Sequence, residues 1–289
     1  MSALRSLING RTVIASVSGG KDSAALSLWL TERGIEHRRV FADTGWEHPA
    51  TYEYLRGPLT AKLGPIDEVK SPVGGMVEWI EKKAMFPSRP RRFCTTELKV
   101  TPLIAYFRRA QDELGEVISA VGIRAAESEA RSKLEEVEWS DDFDASIWRP
   151  LLRWSEQDVI DIHTRHGLRP NPLYLHGARR VGCFPCIFSR KEEIRLVADL
   201  LPERIDLLRD LEQRMTEALK KRCLDRDEQQ EFERLAFFSR KVNEGHVAFP
   251  IDEAVEWSRT SRGGRQFVLL DDAPKGCVRW GLCDTGGAA

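Results

Sequence analysis

The stretch Ser16-Val17-Ser18-Gly19-Gly20-Lys21-Asp22-Ser23 decides the fold. An apolar run, Thr12-Val13-Ile14-Ala15, precedes it, and a helical pattern, Ala24-Ala25-Leu26-Ser27-Leu28-Trp29-Leu30, follows it. The order is strand, tight glycine turn, helix. Such a turn aims backbone N–H groups and the positive end of a helix dipole at one spot, which suits a phosphate. Gly19 and Gly20 permit close backbone approach, Lys21 adds a full charge, and Ser18 and Ser23 offer hydroxyls. A Walker A loop needs four residues between its glycines, and here the glycines are adjacent, so the turn is of another kind.

Ser-Gly-Gly-Lys-Asp-Ser resembles the signature of the PP-loop ATP pyrophosphatases. The resemblance implies an α/β fold, an adenine nucleotide alpha-hydrolase-like doubly wound sheet. It also implies cleavage of ATP between its α and β phosphates. A substrate oxygen is adenylated, pyrophosphate leaves, and a nucleophile, often sulfur or nitrogen, displaces AMP. Ser16, Ser18, Gly19, Gly20, Lys21, Asp22 and Ser23 are then the phosphate-binding candidates, with Lys21 and Asp22 also catalytic.

The 289 residues suffice for one large domain or two moderate ones. A net charge of −1 excludes a chain that binds nucleic acid by bulk positive charge, though not a local basic patch. No apolar run approaches the roughly 20 residues that span a bilayer, so no membrane partner is expected. The first ten residues lack the apolar core of a signal peptide, which makes the cytoplasm the expected location.

Strands are expected at 11–17, 36–42, 66–70 and 116–121, and helices at 22–33, 49–63 and 76–84. Asp43 and Thr44 end the second strand, where open α/β sheets place their ligands. Asp43-Thr44-Gly45 also resembles a segment bordering the nucleotide in the phosphoadenosine phosphosulfate (PAPS) reductase family. Residues 86–102 read as a basic loop; Cys94, Leu98, Lys99 and Pro102 match a pattern of that family, which makes Lys99 a catalytic candidate. Gly122-Ile123-Arg124, then Glu127-Ser128 and Arg131, match another. Gly122, Arg124 and Arg131 are accordingly nucleotide-binding candidates, Arg124 also catalytic, because guanidinium forks suit phosphate or sulfate oxygens. Residues 134–147 read as an exposed acidic loop. The run from Pro150 to Tyr174, with Trp154, Ser155, Asp158, Asn171 and Pro172, resembles the family again and reads mostly as scaffold. The resemblance spans about residues 11–190. Residues 1–190 are therefore expected to form the nucleotide-binding domain. Residues 191–289 form a helical extension, with helices near 190–200, 203–222, 227–240 and 250–260 and a cysteine-containing tail.

Cys183-Phe-Pro-Cys186 has the spacing of half a zinc or iron–sulfur site. Cys94, Cys277 and Cys283 are the further candidate ligands, while Cys223 falls on a predicted helix. Cluster-bearing sulfonucleotide reductases carry a Cys-Cys pair at the position of Phe93-Cys94 and a Cys-x-x-Cys at Cys183 and Cys186. This chain has only Cys94 of the pair, which leaves a fourth ligand to the tail. A [4Fe–4S] cluster, a zinc ion and free thiols are the alternatives.

Two departures bear on the reaction. The phosphate loop is intact, whereas in PAPS reductases it is usually degraded. The tail reads Cys277-Val-Arg-Trp-Gly-Leu-Cys283, not the Glu-Cys-Gly-Leu-His-like motif whose cysteine attacks sulfur. The leading expectation is an ATP pyrophosphatase that uses ATP and Mg²⁺ and adenylates a substrate for sulfur transfer. Similar intact-loop members accompany DNA-modification, phage and CRISPR loci. The alternatives are a thiol-dependent PAPS or adenylyl-sulfate reductase, and a non-catalytic nucleotide-binding subunit of a defence or DNA-modification complex. Adenine nucleotide is the expected partner in each, with nucleic acid or a protein complex as a second partner. The oligomeric state stays open.

Overall fold

A computed structural model describes residues 6–224, 235–243, 245–261 and 280. The first half runs β1 (Thr12–Ser16), α1 (Lys21–Glu32), β2 (His37–Asp43), α2 (Pro49–Tyr54), β3 (Asp67–Lys70), α3 (Met76–Lys83), α4 (Thr101–Leu114) and β4 (Val117–Val121). A hairpin of β5 (Val137–Ser140) and β6 (Ala145–Trp148) follows, then α5 (Glu156–Arg165) and the short α6 (Pro172–Leu175). The last part comprises α7 (Lys191–Leu200), α8 (Pro202–Leu224), a second hairpin of β7 (Phe238–Val242) and β8 (Gly245–Phe249), and α9 (Ile251–Ser258).

Six strands form one sheet in the order β3-β2-β1-β4-β6-β5. All neighbours are parallel except β5, which pairs antiparallel with β6 at the edge. The chain leaves β1 toward β2 and returns to β4 on the other side. The point where it changes direction lies between the carboxyl ends of β1 and β4, which is where open α/β sheets bind ligands. Both strands are covered on two faces, so they are almost wholly apolar. Their alternation divides the core. Val13 and Ala15 join Leu26, Leu30, Val159 and Ile162 of α1 and α5, whereas Ile14 joins Tyr106 and Phe107 of α4.

A second core gathers Trp46, Ile80, Leu98 and Phe184 with Leu208 of α8, Phe237 and Phe249. Trp46 is fully buried, and its indole N–H donates to Pro185 O at 2.9 Å.

The structure corrects four local expectations. Residues 86–102 are not all loop: helical backbone begins at Phe93–Thr95 and passes through a wide π turn, Thr96–Val100, into α4. Pro102 lacks an N–H to bond the preceding turn, which suits a widened turn there. The same device appears at Leu55–Leu59, around Pro58, so the expected helix 49–63 runs on from α2 through that turn to Thr60–Leu63. The acidic segment 134–147 contains β5 and β6, because Ala145 and Trp148 are buried on the sheet while the acidic residues stay outside. Finally, no helix occupies 235–240: Phe238 starts a strand whose β-hairpin turns between Val242 and Gly245. Among the described residues no helix is long and apolar enough to cross a membrane.

Candidate nucleotide site

The segment between β1 and α1 is the turn expected of it. Gly19 has φ +72, and a Cβ there would meet the Thr51 methyl at 2.9 Å. Gly20 is the N-cap of α1 and supplies no capping side chain, so the helix start keeps N–H groups for a ligand. Ser23 Oγ accepts from the Ser18 amide at 3.1 Å and donates to Gly20 O at 2.9 Å, which folds the turn onto the helix. From the other side β4 ends at Gly122, where a Cβ would lie 2.5 Å from Asp22 O. That close approach explains the glycine without any special dihedral.

The turn is braced from behind by buried side chains. Asn171 Nδ2 donates to Gly19 O at 3.3 Å and to Thr51 Oγ1 at 3.2 Å. Tyr174 Oη accepts the Lys21 amide at 3.1 Å. His163 Nε2 lies 2.9 Å from Lys21 O, and Trp280 packs edge-on to His163. Burial disfavours the charged imidazole at His163 and the phenolate at Tyr174. Sequence reading placed Asn171 and Tyr174 in scaffold and missed His163 and Thr51. The spacing Asn171-Pro-Leu-Tyr174 was the available signal: Asn171 caps α6 and thereby directs Tyr174 under the loop.

A cavity of about 360 Å³ opens in front of the turn. Ser18, Gly20, Asp22, Ser23, Gly122 and Arg131 line one part of it. Lys99, Arg180, Cys94, Cys183 and Cys186 line another. The structure therefore brings most of the expected site residues to one place. Six expected residues, Ser16, Gly19, Lys21, Asp43, Thr44 and Arg124, do not line it. Lys21 is buried, with its ammonium 3.7 Å from Asp22, 3.5 Å from Glu156 and over the Tyr174 ring. Arg124 is buried in an ion pair with Asp22. Asp43 and Thr44 belong to a separate buried network: Tyr52 Oη donates to Asp43 at 2.6 Å, Lys70 reaches Asp43 at 2.8 Å, and Thr44 Oγ1 donates to Glu47 at 2.8 Å. Burial alone would raise the Asp43 pKa, but Lys70, Tyr52 and the Gly45 amide outweigh it and hold the carboxylate low. Ser16 ends β1 and is only partly buried.

Cys94, Cys183 and Cys186 are free thiols. Burial pushes the Cys94 and Cys183 thiols up, with Lys99 acting against it at Cys183. The sulfur of Cys183 in turn holds Lys99 above the usual ammonium range. Among the described residues no three His, Cys, Asp or Glu side chains meet as a metal-ligand set. The three thiols share a cavity without forming such a set, and Cys277 and Cys283 lie outside the described residues.

This is an α/β architecture of the nucleotide-binding kind, with its glycine turn at the point where the sheet reverses direction. Residues 12–189 match the phosphoadenosine phosphosulfate reductase domain, and the chain belongs to that family. It is 32% identical to a 37.8 kDa protein from the gpa 5′ region of Escherichia phage 186, over 94% of this chain and 96% of that one. It is also 30% identical to the adenosine 5′-phosphosulfate reductase of Streptomyces coelicolor, over 51% of this chain and 60% of the reductase. In fold it is similar to a PAPS reductase of Candida auris solved with phosphate, with TM-score 0.50 and 22% identity, covering 64% of this chain and 88% of that one.

Proposed function

We propose that the chain is an ATP pyrophosphatase that activates an acceptor by adenylation for sulfur transfer. The observation that carries this reading is the intact Ser18–Ser23 turn, braced from behind and opening on a cavity shared with Lys99 and three thiols. An acceptor oxygen attacks the α phosphorus, the bond between that phosphorus and the α–β bridging oxygen breaks, and pyrophosphate leaves with the electron pair. A sulfur nucleophile then attacks the activated carbon or phosphorus and AMP departs. The turn amides and the Ser18 and Ser23 hydroxyls take phosphate oxygens. Arg131 and Lys99 offset negative charge that develops at the α phosphate. Lys21 contributes its charge from behind the turn, where Asp22 and Glu156 fix it. Asp22 pairs with both Arg124 and Lys21. Magnesium enters with ATP as its chelate and neutralises phosphate charge. No step is assigned to iron or zinc, because the described thiols do not assemble a ligand set.

The test is incubation of anaerobically purified protein with ATP and Mg²⁺, resolving AMP, ADP and pyrophosphate. AMP with pyrophosphate supports the reading; ADP with phosphate, or no turnover with any acceptor, refutes it. The likeness to an adenosine 5′-phosphosulfate reductase and the shared thiol cavity favour a second reading, a thiol-dependent sulfonucleotide reductase. Sulfite release from PAPS or adenylyl sulfate, with thioredoxin as reductant, distinguishes it.

A further inference from the structure

A second cavity, of about 320 Å³, lies on the far side of Ile187-Phe188-Ser189. Those three residues also line the cavity in front of the phosphate turn, so the two spaces share a wall. The second cavity has an aromatic lining, Phe188, Phe237, Phe238, Phe249 and Trp257, and two arginines at its edge, Arg89 and Arg240. Trp257 is 39% exposed, an unusual state for a large ring.

The arginines are distinctive. The guanidinium carbons of Arg89 and Arg92 both lie over the Phe188 ring, 5.4 and 5.3 Å from its centre. Arg240 stacks on Phe249 at 5.2 Å. Each is exposed, and none has a carboxylate partner among the described residues, unlike Arg11, Arg149, Arg180 and Arg209. A guanidinium over a ring face and without a carboxylate partner keeps N–H donors for an anion. Ring faces beside such edges suit a planar group that carries negative charge.

We propose that this cavity is the acceptor subsite, and that it takes a planar aromatic ring bearing a phosphate or carboxylate. The ring lies among Phe188, Phe238 and Trp257, and the anion pairs with Arg89 and Arg240. Its role as acceptor subsite rests on the adenylation reading and on the Ile187-Phe188-Ser189 lining that the two cavities share. The binding itself does not depend on turnover.

The probe is 8-anilinonaphthalene-1-sulfonate, an aromatic anion with a planar naphthalene ring, titrated by fluorescence into the full chain. Arg89→Ala and Arg240→Ala each weaken its binding about tenfold, the loss of one charged hydrogen-bond partner. Trp257→Leu weakens it without lowering thermal stability. The neutral analogue N-phenyl-1-naphthylamine binds less tightly than the sulfonate and is insensitive to both arginine changes. Thymidine monophosphate and 4-hydroxybenzoate are then used as competitors: displacement by the first points to a nucleotide acceptor, by the second to an aryl carboxylate. Lys21→Ala keeps wild-type probe affinity even where it abolishes ATP cleavage, so failure of the adenylation reading and failure of this one are separable. Unchanged affinity in both arginine variants, equal binding of the neutral analogue, or displacement by neither competitor overturns the proposal.

Discussion

Gly122→Ala is the sharpest test of how the site is positioned. The added Cβ would sit 2.5 Å from Asp22 O, 2.8 Å from Asp22 C and 3.0 Å from Ser23 Cα. All three are backbone atoms, so no side chain can swing aside. Carbon contacts are comfortable at about 3.5–4.0 Å, so β4 and the start of α1 must part by about 1 Å. Overpacking of this kind costs about 1–3 kcal/mol. For a chain of this size that lowers Tm by roughly 2–10 °C. The effect on chemistry is larger, because the atoms displaced are those of the phosphate turn: a 1 Å misplacement costs about 100-fold in rate. The control is Gly57→Ala, where nothing lies within 4 Å. Differential scanning calorimetry, ATP-binding calorimetry and AMP release would be measured on both. Wild-type ATP affinity and turnover in Gly122→Ala would refute the claim that this contact sets the turn, and an equal loss in Gly57→Ala would refute its specificity.

Other outcomes follow from the same geometry. Lys21→Ala should lose AMP release with little change in Tm, since Asp22 keeps its pair with Arg124; full turnover would remove Lys21 from the mechanism. Asp22→Asn should instead destabilise by about 3–5 kcal/mol, because it leaves the buried Arg124 guanidinium uncompensated, as chemical denaturation would show. Iodoacetamide should modify Cys94 and Cys183 more slowly than free cysteine at pH 7, because burial holds both as thiols; mass spectrometry of chelator-treated, reduced protein reads this directly. Glu32, at the end of α1, is paired with Arg165 and His166 of α5, and its hydrogen bond from Arg165 lowers its pKa from 4.5 to about 2. A depressed carboxylate stabilises above its unfolded value, and that stabilisation is lost as pH falls from about 4.5 toward 2. Discounted for the exposure of Arg165, it amounts to about 1–3 kcal/mol, and Glu32→Gln should flatten acid unfolding across that window.

The sheet was legible because its central strands are apolar on both faces and glycines, Gly34, Gly64 and Gly115, close the helices between them. The strand–turn–helix geometry around Gly19 and Gly20 was legible because a tight turn there requires glycine. Phe238–Val242 was not. Its pattern, Phe-Ser-Arg-Lys-Val, buries only Phe238, and such a short half-exposed run gives strand and helix nearly equal claims. Cys94 and Lys99 were placed on a loop because prolines bracket them, yet a π turn absorbs Pro102 and lets the helix start early. Lys21 was read as facing phosphate since the turn type implies a free cation. What the sequence leaves out is Glu156, far along the chain, whose carboxylate lies 3.5 Å from that ammonium.

The placement of Lys21 bears on why the turn is built as it is. A phosphate turn with no bound nucleotide carries amides directed at empty space and a cation that repels them. Here the cation is neutralised by Asp22 and Glu156, and the Lys21 carbonyl, amide and ring contacts are met by His163 and Tyr174. These contacts fix the turn, so on the proposed function the nucleotide would not have to order it. Preorganisation of this kind favours electrostatic catalysis, because donors fixed in advance cost no reorganisation as charge develops. It also divides the labour among cations. Lys21 lies beneath the turn, while Lys99 and Arg131 line the cavity where the proposed adenylation would develop charge. Removal of Lys99 should then slow the chemical step and leave ATP affinity nearly unchanged, whereas removal of Tyr174 Oη should weaken ATP binding first.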